Sequence, residues 1–118
     1  MILVDTSVWV DHLRSGNPTL ATLLHGEQVL THPCIIGELA CGAIRNRGTV
    51  LEHLARLPRA VMADDDEVLA LVGSRRLFGR GIGWVDAHLL ASAVLSRVRL
   101  MTLDRRLARL GEVVGVSE

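Results

Sequence analysis

Lysine and tyrosine are both missing from this 118-residue chain, which carries one phenylalanine, three prolines and two cysteines. Each absence excludes some chemistry. Without lysine there is no Schiff-base catalysis, no phosphate-loop lysine and no ammonium to assist aspartyl-phosphate chemistry; all 13 basic residues are arginine. Cys34 and Cys41 stand seven apart, which fits neither a CxxC pair nor a disulfide framework, so both are expected to be small buried residues of one helix. The five histidines (His12, His25, His32, His53 and His88) lack HExxH or related spacing, which argues against a histidine zinc site and leaves surface or packing roles. Formal net charge is zero, so no overall basic field exists and any contact with nucleic acid has to be local. No long apolar run is present: the segment from Trp84 to Leu95 is interrupted by Asp86 and His88, and no basic head precedes an apolar stretch at the N-terminus. The chain therefore reads as soluble and cytosolic, without a membrane span.

What is there is apolar. A 49% apolar content and a mean hydropathy of +0.34 predict a well-filled core with some apolar surface covered by a partner, so an oligomer is expected. The length suits a single domain over residues 1–118. Ile2 to Val4 reads as a strand buried on both faces, ending at Asp5. Thr6 or Ser7 then caps a helix to about Leu13, and the turn Gly16, Asn17, Pro18 precedes a helix from Thr19 to His25. Gln28 to Thr31 reads as a strand, Pro33 opens a third helix, and Thr49 to Leu57 forms a fourth. Ala60 to Met62 is expected as a short strand, and the acidic run Asp64 to Glu67 as the start of the next helix, where negative charge suits the helix dipole. A loop with Gly79, Gly81 and Gly83 leads to a helix from Trp84 to Ser96, a strand from Arg99 to Thr102, a helix from Asp104 to Leu110 and a last strand from Val113 to Val116. Strands alternating with helices predict a three-layer α/β fold with a central, mainly parallel sheet.

Four of the 13 acidic residues lie in apolar surroundings, where an ionised carboxylate is costly unless paired or metal-bound. Asp5 and Asp104 follow strands and so sit outside the carboxyl edge of the sheet, where ligands of parallel sheets bind. Glu38 is flanked by Ile35, Ile36, Leu39 and Ala40, and Asp86 by Trp84, Val85, Leu89 and Leu90. Singly, each has a plain explanation as turn residue, helix cap, first-turn charge or half of an ion pair. Together they would repel one another unless a divalent cation lay among them. The oxygen-only donor set selects Mg²⁺ or Mn²⁺, ions that activate water and stabilise charge on a phosphodiester.

The segments VDTSVWVDHLR from Val4, IIGELACGAI from Ile35, GIGWVDAHLLASA from Gly81 and LMTLDRRL from Leu100 resemble the PIN-domain ribonucleases, most closely the VapC toxins of bacterial toxin and antitoxin pairs. The resemblance spans nearly the whole chain. It implies a PIN-like α/β/α fold and a metal-dependent endoribonuclease that cuts RNA by attack of water on phosphorus and is held inactive by a cognate VapB-like antitoxin. It also implies that Asp5 and Asp86 are the main metal ligands, that Glu38 and Asp104 complete the pocket, and that Thr6 or Ser7 and Thr102 are supporting hydroxyls, against a role in capping alone. Some relatives carry a further acidic residue one turn after the position of Asp104; here Arg105, Arg106, Leu107 and Ala108 follow, so one well-held ion is expected, with a second arriving with the RNA. Arg75, Arg76, Arg80, Arg105 and Arg106 are candidates for RNA phosphates, or else solvated surface charges. Trp9 and Trp84 are expected in the core, with base stacking a minor means of recognition. The resemblance further implies that the third and fourth helices, with Ile36, Leu39, Ala43, Ile44 and Leu51, hold a dimer mate or an antitoxin segment, with plain core packing the equal alternative for many of these residues. A phosphoacceptor domain is the rival reading, opposed by the missing lysine, and a catalytically silent module binding RNA or antitoxin is the other.

Overall fold

The computed structural model describes residues 1–117. Strand β1 (Ile2–Val4) is the centre of the fold because its side chains tolerate burial on both faces: Leu3 and Val4 have no exposed surface. It pairs in parallel with β2 (Val29–Leu30) on one side and β3 (Arg99–Met101) on the other, with Ile2 opposite Val29 and Leu3 opposite Leu100. Asp5 therefore leaves the sheet at the middle of its carboxyl edge.

Among the described residues seven helices cover the sheet, α1 (Thr6–Ser15), α2 (Pro18–His25), α3 (Pro33–Ala40), α4 (Arg47–Arg56), α5 (Asp65–Ser74), α6 (Trp84–Ser96) and α7 (Arg105–Val114). They pack in two sets. The first runs α2 on α1, α1 on α3 and α3 on α4; the second runs α5 on α6 and α6 on α7, with α6 and α7 both against β3. This is the expected α/β layering. The core joins Leu3 and Val4 to Val8 and Leu20 of the first set and to Leu89, Leu90, Leu107 and Leu110 of the second. Among the described residues no helix is long and apolar enough to cross a membrane.

Several local expectations are overturned. Asp5, not Thr6 or Ser7, caps α1: its carboxylate reaches the Ser7 amide at 3.4 Å, which leaves both hydroxyls free for other partners. Ala60 to Met62 is not a strand, because after a single parallel bridge between Thr31 and Arg59 the Val61 amide turns away to donate to Ser96 Oγ of α6 at 2.8 Å. The last strand is also absent. Leu107, Leu110 and Val114 recur at helical spacing and bury together, so α7 runs on to Gly115 (φ 80°), and only a bridge between Ser117 and Leu100 remains. Cys41 is exposed, as the residue that ends α3, and Cys34 is half-buried. Trp9 is in the core at 5% exposure, whereas Trp84, the first residue of α6, is 48% exposed. The acidic run does open a helix: Asp64 and Glu67 cap each other's backbone amides at 2.8 and 3.0 Å.

Candidate active site

Asp5 is 7% exposed and held from two directions. Ser7 Oγ in the first turn of α1 donates to Oδ2 at 2.7 Å, and Thr102 Oγ1, just past β3, donates to the same oxygen at 2.8 Å. Each hydroxyl accepts a backbone amide in turn, Leu103 N to Ser7 Oγ at 2.9 Å and Asp104 N to Thr102 Oγ1 at 3.0 Å. Two amides of the β3–α7 junction are thereby relayed through two hydroxyls onto one carboxylate oxygen. Charge-assisted bonds of this kind offset the desolvation of a buried carboxylate. Among the described residues no donor reaches Oδ1, so that oxygen keeps its lone pairs for a ligand.

Glu38 projects from α3, and its Oε1 accepts from Thr6 Oγ1 at 2.8 Å, a bond that ties α3 to the start of α1. The carboxylate also acts on Cys34 one turn earlier, whose thiol is pushed above its ordinary range by burial first and by Glu38 second. Asp86, half-buried in the first turn of α6, accepts the Gly83 amide at 3.3 Å. Burial raises its pKa above the ordinary carboxylate range, the Gly83 bond opposes this, and the charges of Asp5 and Asp104 raise it further. Asp104 caps α7, its Oδ1 accepting from the amides of Arg106 and Leu107 at 2.9 and 3.2 Å.

Asp5, Asp86 and Asp104 thus share one electrostatic neighbourhood at the carboxyl edge, and Glu38 reaches it through Thr6. Glu38 and Asp104 are exposed, contrary to the apolar settings expected of them, because their apolar sequence neighbours turn to the core on other sides of α3 and α7. Among the described residues none of the four carboxylates forms an ion pair; the one pair present joins His88 and Asp65 at 3.3 Å. Nor do three His, Cys, Asp or Glu side chains stand close enough to enclose an ion. The donor chemistry still fits a hard divalent cation: three like charges that, among the described residues, form no ion pair, all oxygen, with Asp5 Oδ1 unengaged.

The arginines divide. Arg106 lies across the glycine loop, so close that a Cβ on Gly81 would stand 2.5 Å from its Nη1. Arg76, Arg80 and Arg105 are exposed. Arg75 instead donates to the carbonyl of Val113, at the far end of α7 from Asp104, about 13 Å along the helix at the usual rise per residue. Leu39 is fully buried and so takes the core-packing alternative, and α1 forms a wall of two apolar grooves. One of about 400 Å³ is lined by Val10, Leu13 and Arg14 with Ala43, Ile44 and Arg45; another of about 220 Å³ runs past Trp9, His12, Val50 and Leu54.

Residues 2–113 match the PIN domain family. Ribonuclease VapC32 of Mycobacterium tuberculosis is 52% identical over 108 residues, covering 91% of this chain and 87% of its own length. Ribonuclease VapC19 of the same organism is 33% identical over 116 residues, 90% of each chain. With the parallel sheet, the acidic residues at its carboxyl edge and these likenesses taken together, the chain belongs to the PIN domain family, in its VapC branch.

Proposed function

We propose that this protein is a VapC-like endoribonuclease toxin that hydrolyses RNA phosphodiester bonds with Mg²⁺ or Mn²⁺ and is neutralised by a cognate VapB-like antitoxin. The observation that carries the reading is the uncompensated cluster of Asp5, Asp86 and Asp104 at the carboxyl edge of the sheet, with one oxygen of the central carboxylate unengaged. Asp5 and Asp86 would hold the ion, with Glu38 and Asp104 completing the shell directly or through water. A bound divalent ion supplies an activated water and stabilises charge on the phosphate. The chain's own part is positioning. Ser7 and Thr102 fix the Asp5 rotamer, Thr6 fixes Glu38, and the Gly83 amide fixes Asp86. Arg80, Arg105 and Arg106 supply phosphate contacts beside the pocket. The groove walled by α1 and the Ala43 to Arg45 segment would receive the antitoxin, and a homodimer would cover further apolar surface.

The test is cleavage of a labelled RNA by the purified protein. Expected are cutting with Mn²⁺ or Mg²⁺, arrest by EDTA, and loss of cutting in Asp5→Ala with an unchanged circular dichroism spectrum. Equal cutting by that variant would remove the site. A silent RNA- or antitoxin-binding module is the second reading, favoured by the absence of three closely grouped ligands among the described residues; RNA binding without cutting at any divalent ion would establish it instead.

A further inference from the structure

Trp84 is exposed where a core residue was expected, and it is not loose. Its indole meets the His88 ring edge to face, with centroids 4.7 Å apart and planes at 86°. His88, one turn along α6, is fixed by Asp65 in the first turn of α5 at 3.3 Å. An indole braced in this way and still 48% exposed is a pre-organised apolar face, which binds a flat partner with little loss of rotamer freedom. Its place matters as much. Trp84 and Asp86 share the first turn of α6 and leave it about 200° apart around the helix, so the indole and this carboxylate of the cluster stand on opposite sides of one helix start. Arg106 of α7 lies against Gly81, three residues before Trp84, and among the described residues the side chains of Arg80 and Arg105 are exposed without an ion pair. An aromatic face at the helix start that carries Asp86, with unpaired arginines on the neighbouring α7 and glycine loop, suits a single nucleic-acid strand, whose bases stack and whose phosphates take the guanidinium groups.

We infer that Trp84 is a stacking platform for the base of a nucleotide next to the scissile phosphate of single-stranded RNA, an inference that rests on the ribonuclease reading above. The test measures affinity for a short fluorescein-labelled single-stranded RNA in Ca²⁺, comparing wild type, Trp84→Phe and Trp84→Leu, and repeats it with an RNA of the same length carrying abasic residues. Leucine should weaken binding of the intact RNA about ten-fold and phenylalanine by less than about three-fold, while the abasic RNA should bind wild type and Trp84→Leu alike. Binding of intact RNA by Trp84→Leu at wild-type strength would overturn the platform, as would an equal loss on the abasic RNA, which marks a structural effect. A changed mass of Trp84→Leu in light scattering with RNA affinity unaltered would assign the residue to a protein interface instead. Cleavage by the wild type in Mn²⁺ separates the two ideas. Cutting without a Trp84 effect on affinity refutes the platform alone, and Trp84-dependent binding without cutting refutes the ribonuclease and keeps the RNA contact. A wild type that binds no RNA refutes both.

Discussion

Replacing Ser7 by alanine removes one oxygen atom and two bonds. One is the 2.7 Å donation to the Asp5 carboxylate; the other is the acceptor for Leu103 N–H at 2.9 Å. A hydrogen bond to a charged group contributes about 1.5–3 kcal/mol and a neutral one about 0.5–1.5 kcal/mol. Alanine returns roughly 0.5 kcal/mol as the better helix former in the first turn of α1. The net destabilisation is about 1.5–4 kcal/mol, a large part of a domain's stability of roughly 5–15 kcal/mol. For a chain of this size that corresponds to a melting temperature lower by roughly 6–16 °C. Calorimetry at neutral pH in EDTA measures it directly. A double-mutant cycle with Asp5→Asn, which keeps an acceptor oxygen and removes the charge, should then show coupling of at least about 1 kcal/mol. Cleavage should fall about 10- to 100-fold, as when the partner that orients a metal-ligating group is lost. A fall in melting temperature under about 2 °C, or energies additive within about 0.5 kcal/mol, would show that the hydroxyl relay contributes little to holding Asp5.

Asp86→Asn should stabilise the metal-free protein. The folded Asp86 pKa is raised, so its contribution to stability is present at low pH and lost as pH rises through that value, and the gap between variant and wild type in EDTA should widen from acid to neutral pH. A divalent ion at about 100 times its dissociation constant should add about 2.7 kcal/mol to the wild type and little to Asp86→Asn; equal gains would remove Asp86 from the ligands. His32 is fully buried with Nδ1 accepting from the Cys34 amide at 3.0 Å, and its pKa is lowered by burial, then by His88 and Arg59. The unfolded chain takes up a proton that the folded one refuses, so stability should drop as pH falls below about 6.5, and His32→Asn, which keeps a capping oxygen, should flatten that drop in thermal melts. Gly81 sits at φ 76° under Arg106, so Gly81→Ala should destabilise by about 1–3 kcal/mol and displace the guanidinium, seen as weaker RNA binding at unchanged metal affinity.

The carboxyl-edge positions of Asp5 and Asp104 were legible because a buried strand announces itself as an unbroken apolar run and its end is marked by the first polar residue. The cap of α1 was not, since Asp5, Thr6 and Ser7 all cap well and only the distant Thr102 and Glu38 decide which does what. Trp84 was misplaced for a related reason. Helix α6 carries apolar residues around most of its circumference, so hydropathy assigns it no outer face, and the packing of α5 and β3 against it selects one. The run from Val113 to Val116 has strand-forming residues, but the helical phase of Leu107 and Leu110 carried Val113 and Val114 into α7.

The oxygen of Asp5 that receives both hydroxyls joins positions separated by 97 residues, because β1 and its partner β3 lie far apart along the chain. The two sides that hold this carboxylate are therefore synthesised far apart in time. While the chain is growing, Asp5 exists without Thr102 or Asp104 and has nothing to fix its rotamer from the β3 side. The pocket switches on with closure of the sheet, so that cleavage assayed during refolding should lag behind helix formation and rise with the pairing of β3.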